Sequence, residues 1–113
     1  MSLKKGRHGE AIARKYLNKL GYKILTSNWY SRYGEIDIIA LSSESSLVFV
    51  EVKNYKRNSF LDPKESISPK KIKNLSNTAE LYLAECENNY ESIRFDLIIV
   101  RSNLVLEHLI NFI

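Results

Sequence analysis

Residues 34–53 read GEIDIIALSSESSLVFVEVK, and this stretch decides the fold. Its first part, GEIDIIAL, alternates charged and aliphatic residues, and its last part, LVFVEVK, is rich in β-branched residues and ends in charge. The polar segment SSESS between them has the length of a hairpin loop. The stretch therefore predicts two antiparallel strands, with Glu35 and Asp37 on one face of the first strand and Ile36 and Ile38 on the other.

Pairing these two strands brings acidic residues together. In the register that the loop favours, Asp37 faces Glu51 and Glu35 faces Lys53, while Glu51 and Lys53 share one face of the second strand. Two carboxylates directly opposite each other repel, which costs stability. A divalent cation would offset the repulsion, because hard cations collect carboxylate oxygens. The alternative is an exposed sheet face that carries an ion pair between Glu35 and Lys53 beside two unrelated acids.

The combination of Asp37 with the motif Glu51-x-Lys53 is what a metal-dependent phosphodiesterase needs. The carboxylates would hold the metal, and the metal and the lysine would polarise a phosphate and an attacking water. Oxygen ligands indicate Mg²⁺ or Mn²⁺ and not zinc, because neither His8 nor Cys86 falls in this constellation.

Length and composition indicate a globular protein. The chain has 113 residues, which suits a single domain over residues 1–113 with one modest core. Hydrophobic residues make up 44% and charged residues 27%, which argues against disorder. Cys86 is the only cysteine, so an intramolecular disulfide is excluded. With no signal-peptide pattern and no apolar run near the ~18 residues of a membrane helix, we expect a cytoplasmic protein without a membrane partner.

The charge balance is mildly basic. Lysine and arginine number 17 against 13 acidic residues, for a net charge of +4. Four of the acids are candidates for the metal site, namely Glu10, Glu35, Asp37 and Glu51. Only nine acids then remain against the 17 basic residues, so the rest of the surface suits a polyanion. A net charge of +4 is also common in proteins that never bind nucleic acid, so charge alone does not select this function.

Residues 4–20 predict an amphipathic helix that Gly21 ends. Glu10 borders the apolar stripe of this helix, from where it can reach over the sheet edge towards the acidic pair. The alternative is an acid near the helix start that interacts favourably with the helix dipole. The basic run KKGRH at residues 4–8 is either a solvated helix end or a phosphate contact.

A polar segment follows the hairpin. Residues 54–66 read NYKRNSFLDPKES and include Lys56 and Arg57. Basic residues interleaved with aromatic ones suit a nucleic-acid strand, since the cations contact phosphates and nucleobases stack on the rings. An ordinary solvated connection is the alternative.

Ser68 and Pro69 open a second helix as its N-cap and its first helical residue. Lys70, Lys71 and Lys73 crowd its first turns, where cations oppose the helix dipole. A nearby anion would offset that cost. We therefore expect these lysines to contact the nucleic-acid backbone outside the face of the acidic pair.

Further strands are expected at residues 22–29, 94–101 and 104–113, the last of them at a sheet edge. Together with the hairpin and the two helices they give the order αβββαββ. A crossover helix lets a later strand lie parallel to the hairpin. The sequence therefore predicts an α/β fold with a mixed sheet.

The motifs follow one another in a recognisable order: GE in the first helix, an asparagine ahead of GEIDIIA (N…GEIDIIA), FVEVK, the lysines of the second helix, RFDLIIV and LEHLINFI. Over nearly the whole chain this order resembles the YraN-like family, which looks like a branch of the PD-(D/E)xK nuclease superfamily near the archaeal Holliday-junction resolvases. The resemblance implies a restriction-endonuclease-like core, in which two helices flank a mixed sheet of four to five strands.

The resemblance also implies roles for individual residues. Asp37 and Glu51 match the metal ligands, Lys53 the catalytic lysine, Glu10 and Glu35 further acids of the site, and Lys71 the second-helix lysine. The implied activity is Mg²⁺- or Mn²⁺-dependent hydrolysis of DNA, with branched and damaged DNA among the candidate substrates.

Three functions compete at this point. The chain is a metal-dependent endonuclease acting on DNA, a nucleic-acid-binding module with a vestigial nuclease site, or an interaction protein that keeps only the fold. Intact Asp37, Glu51 and Lys53 favour the first over the second, and the basic residues near them favour either over the third. A homodimer is an open alternative to a monomer.

Overall fold

The computed structural model describes residues 3–55 and 67–113, with the side chains of the first helix described from residue 7 onwards. The elements are α1 (Leu3–Lys19), β1 (Lys23–Ser31), β2 (Gly34–Leu41), β3 (Ser46–Tyr55), α2 (Pro69–Glu85), β4 (Ser92–Arg101) and β5 (Leu104–Leu109). Their order is the predicted αβββαββ. The expected α/β layout of two helices and a mixed sheet is therefore confirmed.

The five strands form one sheet in the order β1-β2-β3-β4-β5, in which only β3 and β4 are parallel. β5 lies at an edge as predicted, but it ends at Leu109 and not at Ile113. The chain turns at Asn111, whose φ of 55° is left-handed and cannot continue a strand. The amide of Phe112 then donates to the carbonyl of Phe95 at 2.9 Å.

The hairpin of β2 and β3 has the predicted register. Its ladder runs from the loop to the pair of Ile38 and Val50, so Asp37 and Glu51 come next across the two strands. The ladder stops there, and Oδ2 of Asp37 accepts a hydrogen bond from the backbone amide of Val52 at 2.8 Å. The two acids therefore stand where the paired strands separate.

The two helices cover opposite faces of the sheet. The core on the α1 side contains Ala13, Leu17, Ile38, Ala40, Val48, Val50, Ile98 and Val100. The core on the α2 side contains Ile36, Ile39, Leu47, Phe49, Leu75, Ala79 and Tyr82. The central strands are thus buried on both faces. Each fully buried large aliphatic or aromatic side chain contributes about 1.5–3 kcal/mol to stability.

β2 departs from regular alternation at Asp37. Ile36 belongs to the core on the α2 side and Ile38 to the core on the α1 side, whereas alternation predicts one face for both. The residue between them has left the ladder, because its carboxylate bonds the amide of Val52. The predicted face of Ile36 is therefore wrong, and the irregularity falls at the candidate metal ligand.

The start of α2 is as predicted. Oγ of Ser68 accepts a hydrogen bond from the amide of Lys71 at 3.1 Å, and Pro69 is the first helical residue. Within the described part of the chain, neither helix is long and apolar enough to cross a membrane.

Candidate metal centre

Three of the four predicted acids form one cluster. Glu10 comes from α1, and Glu35 and Asp37 come from β2. One carboxylate oxygen of each lies within 4.8 Å of the other two. Glu10 and Asp37 are buried, with 6% and 9% of their surface exposed, and Glu35 is half-buried. The structure therefore brings these acids together in a place where water cannot fully screen their charges.

A glycine lets α1 approach the sheet closely enough to deliver Glu10. A Cβ atom on Gly9 would lie 3.1 Å from Cβ of Asn54 on β3, which is tighter than ordinary van der Waals contact. In the GE motif, Gly9 therefore permits the close approach of α1 to β3, and the next residue, Glu10, belongs to the acidic cluster.

Glu51 stands beside this cluster with its own partners. It is only 4% exposed. Its Oε2 forms ion pairs with Nζ of Lys53 at 3.6 Å and with Nζ of Lys71 at 3.4 Å. Its Oε1 is buried and has no hydrogen-bond partner among the described residues. An unsatisfied buried oxygen is costly, so Glu51 has the capacity for one more cationic partner.

The carboxyl group of Asp37 is protonated in the folded chain at neutral pH. Burial raises its pKa, the negative charge of Glu51 raises it further, and together these effects bring the pKa to about 9. The hydrogen bond from Val52 acts in the opposite direction but is outweighed. Protonation of Asp37 relieves the repulsion between the two neighbouring carboxyl groups.

Burial also raises the pKa of Glu10, and the charge of Glu35 adds to this effect. The amide of Asn28 opposes it by donating to Oε1 of Glu10 at 2.6 Å. The same Nδ2 atom donates to Oε1 of Glu35 at 3.3 Å. Asn28 therefore bridges two acids of the cluster, and it does so from β1.

Asn28 is a site residue that reasoning from the sequence missed. It lies between Ser27, which pairs with Ile38, and Trp29, which pairs with Ile36, and so stands across from Asp37. Its φ of 52° is left-handed, a conformation in which asparagine is enriched several-fold over other non-glycine residues. Its signals in the sequence were its place inside a predicted strand and in the motif N…GEIDIIA, and neither indicated a role at the site.

Lys53 has a different partner from the one expected. Among the described residues it forms an ion pair with Glu51 and not with Glu35. Asp37 and Glu51 are also buried. The alternative of an exposed sheet face with an ion pair between Glu35 and Lys53 is therefore wrong.

The remaining basic residues divide into three groups. Lys71 contacts Glu51, so the expectation that it lies outside the face of the acidic pair is wrong. Lys70 and Lys73 are exposed on the first turns of α2, as expected for flanking contacts. Lys56 and Arg57 lie outside the described residues. The position of Lys71 depends on how α2 packs over the sheet, which helical spacing does not encode.

The residues of the site fit a hard divalent cation. Ligand oxygens at 2.0–2.6 Å from one ion are at most about 5 Å apart, and the three clustered oxygens satisfy that limit. The donors are all oxygens, and no described histidine or cysteine joins them. The unpartnered Oε1 of Glu51 supplies a further donor next to Asp37. Oxygen-only donors favour Mg²⁺ or Mn²⁺.

Another buried acid, Asp96, has hydrogen-bond partners of its own and does not belong to this site. Asp96 on β4 accepts hydrogen bonds from Nε of Arg94 at 3.0 Å, Nε2 of His108 at 2.7 Å and the amide of Asn111 at 3.0 Å. Burial alone would raise its pKa, but the hydrogen bonds from His108 and Arg94 outweigh burial and lower it. Asp96 is thus a structural acid that ties β5 to β4.

Comparison with known proteins agrees with the resemblance read from the motifs. A family model described as uncharacterised protein family UPF0102 matches residues 9–100, which contain all the acids of the site and both lysines. A UPF0102 protein of Syntrophomonas wolfei is 41% identical over 98 residues, covering 87% of this chain and 84% of the relative. A second from Persephonella marina is 40% identical over 99 residues, covering 88% and 84%. A third from Mycolicibacterium gilvum is 39% identical over 97 residues, covering 85% and 79%.

Proposed function

The chain belongs to the uncharacterised protein family UPF0102, and from that premise we propose that it is a metal-dependent endonuclease that hydrolyses DNA phosphodiester bonds. The observation that carries the proposal is the buried pair of Asp37 and Glu51, in which an oxygen of Glu51 has no partner among the described residues. A bound cation would offset the cost in stability that comes from the repulsion and burial of this pair.

Asp37 and Glu51 would hold the cation, and Glu10 and Glu35 would complete its surroundings directly or through water. When bound, Mg²⁺ or Mn²⁺ supplies Lewis-acid polarisation of a phosphate oxygen and of a water. Asn28 holds Glu10 and Glu35 in position through its two hydrogen bonds. The hydrogen bond from Val52 fixes Asp37 in the same way.

Lys53 is the chain's own candidate for contact with the reacting phosphate. It follows Glu51 on β3 by two residues, and 31% of its side chain is exposed. Its ammonium group can therefore remain near the metal site and still meet a substrate from solvent. A fixed positive charge where negative charge develops in the transition state typically accelerates a reaction by roughly 10²–10³.

A polyanionic substrate is supported by the surface around the site. Lys70 and Lys73 are exposed at the start of α2, and Arg7 is exposed near the start of α1. These cations would contact phosphates on either side of the cleaved bond, which positions the strand without reading its sequence. Branched and damaged DNA remain candidate substrates, because phosphate contacts alone do not select a DNA shape.

One observation favours a second candidate, a nucleic-acid-binding module without catalysis. Lys53 and Lys71 both contact Glu51, so two ammonium groups already offset its charge without a metal. A site that has lost its metal chemistry could keep this arrangement as a structural ion-pair cluster.

A cleavage panel separates these functions. Single-stranded, duplex, flapped and four-way DNA would each be incubated with the protein in Mg²⁺, Mn²⁺ or chelator, beside Asp37→Asn as a matched control for contaminating nucleases. Cleavage that needs the metal and disappears in Asp37→Asn supports the endonuclease. Salt-dependent DNA binding without cleavage supports the binding module, and neither activity leaves an interaction protein.

A further inference from the structure

Lys53 of β3 and Lys71 of α2 each form an ion pair with the same oxygen of Glu51. Nζ of Lys71 lies 3.4 Å and Nζ of Lys53 3.6 Å from Oε2 of Glu51. We propose that Lys71 is the resident counter-ion of the metal site, which neutralises Glu51 before a metal binds and must be displaced when it does. This inference rests on the metal site of the proposed function.

A counter-ion is needed because Glu51 is only 4% exposed. A buried carboxylate without a compensating charge is strongly unfavourable, so the metal-free fold requires at least one cation there. A divalent ion at the same carboxylate would lie within a few ångströms of the ammonium groups and repel them. Metal and lysine therefore compete for Glu51, and one of them has to leave.

Lys71 is the lysine that can leave. The backbone of Lys53 is fixed in the middle of the sheet, because β3 pairs with β4 and Lys53 lies opposite Ile99, and its side chain is 31% exposed. Lys71 extends from the first turn of α2, and 38% of its side chain is exposed. It also lines a small cleft of about 40 Å³ together with Tyr33, Glu35 and Asn74, so space lies beside its side chain.

The displacement would link metal binding to DNA binding. While Lys71 contacts Glu51, its positive charge is neutralised by this carboxylate and does not contact a phosphate. After displacement the same charge becomes available to a phosphate at the mouth of the site, beside the exposed Lys70 and Lys73. A metal ion would then raise DNA affinity partly by releasing Lys71, and by linkage DNA would raise metal affinity to the same extent.

The test measures Mn²⁺ affinity by calorimetry in the absence of DNA, at fixed pH and ionic strength. Lys71→Met removes the competing charge but keeps the aliphatic stem, and Lys70→Met removes the same charge one residue away from an exposed position. We expect Lys71→Met to bind Mn²⁺ about tenfold more tightly than wild type, and Lys70→Met to bind within about twofold of it.

Thermal unfolding gives a second readout that a simple change of surface charge would not move. In chelator, Lys71→Met should melt below wild type because Glu51 has lost a counter-ion, and saturating Mn²⁺ should raise its melting temperature by more than it raises that of wild type or Lys70→Met. Lys71→Gln, which keeps a hydrogen-bond donor, serves if the methionine variant folds poorly.

Failure of this inference differs from failure of the proposed function. If wild type binds Mn²⁺ and cleaves DNA, but Lys71→Met binds Mn²⁺ no more tightly than Lys70→Met, then Lys71 is not a competing counter-ion and the endonuclease stands. If wild type binds no Mn²⁺, the metal site is absent and both proposals are overturned.

Discussion

The backbone amide of Val52 donates a hydrogen bond to Oδ2 of Asp37 across the point where β2 and β3 separate, at 2.8 Å. Burial and the charge of Glu51 disfavour a carboxylate at this position, yet the amide fixes its orientation before any metal arrives. The acid is therefore held in place by the backbone of the neighbouring strand. Under the proposed function, a metal would bind without moving Asp37 but would have to displace its proton.

The first prediction concerns the pH dependence of stability. The folded-state pKa of Asp37 is raised, by burial and then by Glu51, to about 9, whereas an unfolded aspartate titrates near 3.9. The folded chain thus binds more protons than the unfolded chain between these values, and stability falls as pH rises through them. Asp37→Asn removes this dependence and keeps an oxygen for Val52. In chelator its melting temperature should exceed that of wild type by a small margin at pH 5, which lies just above the unfolded pKa, and by a growing margin towards pH 9.

Asp37→Ala is the matched control for the hydrogen bond. It relieves the same repulsion but leaves the amide of Val52 without its acceptor, which costs about 1–3 kcal/mol when the donor is buried. Thermal melts of the three proteins from pH 5 to pH 9 distinguish the two effects. Loss of stability in Asp37→Asn at every pH would mean that the charged carboxylate has a structural partner.

The hairpin could be predicted from the sequence and the three-dimensional contacts of its neighbours could not. A short polar loop between two alternating segments leaves few registers, and the one chosen placed Asp37 beside Glu51 correctly. Alternation failed at Ile36 because the backbone of β2 is irregular where the acid leaves the ladder. Lys71 was misplaced because the orientation of α2 over the sheet is set by packing and not by helical period.

Asn28 shows a different limit of sequence reasoning. Its role needs three things at once: pairing of β1 with β2, a left-handed residue within β1, and the arrival of Glu10 from α1. None of these is visible in a local pattern. Local patterns indicate candidate ligands that lie on one hairpin, whereas a residue that orients them, such as Asn28, comes from another part of the chain.

The second prediction tests Asn28 with two substitutions. Asn28→Gly keeps the left-handed backbone and removes the amide, so it should leave the fold intact and weaken Mn²⁺ binding by about 10–100-fold, the usual effect of losing a group that orients metal ligands. Asn28→Ala also loses the amide and adds roughly 1–2 kcal/mol of backbone strain at this φ.

Calorimetric titration and chemical unfolding of both variants separate orientation from strain. The two substitutions should weaken Mn²⁺ binding equally, and only the alanine variant should unfold more readily. Wild-type Mn²⁺ affinity in Asn28→Gly would show that Glu10 and Glu35 need no such bridge.

The third prediction concerns Asp96, which should matter for stability and not for metal binding. Asp96→Asn breaks a buried ion pair with Arg94 and alters the hydrogen bond with His108, and the loss of one partner of a buried ion pair costs about 3–5 kcal/mol. Because its folded-state pKa is lowered, Asp96 contributes stability above the unfolded value near 3.9, and this stability is lost as pH falls through the folded value. Glu107→Gln removes one exposed negative charge from β5 and is the control.

Denaturant titrations of these variants at pH 7 and at pH 3 would check the claim. The difference in the free energy of unfolding between wild type and Asp96→Asn should be smaller at pH 3 than at pH 7. Chelator should leave this difference unchanged. If the difference in the free energy of unfolding depends on Mn²⁺, Asp96 contributes to the metal site and the prediction is wrong.

The last prediction divides the cations between binding and chemistry. Lys53→Met should slow cleavage of bound DNA by roughly 10²–10³, since its charge is placed to act on the transition state. Lys73, exposed on α2, can only meet flanking phosphates. Lys73→Met should therefore weaken binding and lower the salt slope by about one counterion, with little effect on the cleavage step. Single-turnover cleavage at saturating protein, beside DNA affinity in Ca²⁺ at several salt concentrations, measures both quantities.

Lys53→Met and Lys73→Met are matched variants, because each loses one positive charge and keeps an aliphatic side chain of similar length. Lys53→Met retains Lys71 as a counter-ion for Glu51, so its fold should survive and its metal site should remain loaded. If Lys53→Met cleaves bound DNA at the wild-type rate, then Lys53 serves only as an ion-pair partner of Glu51, and the glutamate and lysine of β3 have no joint role in catalysis.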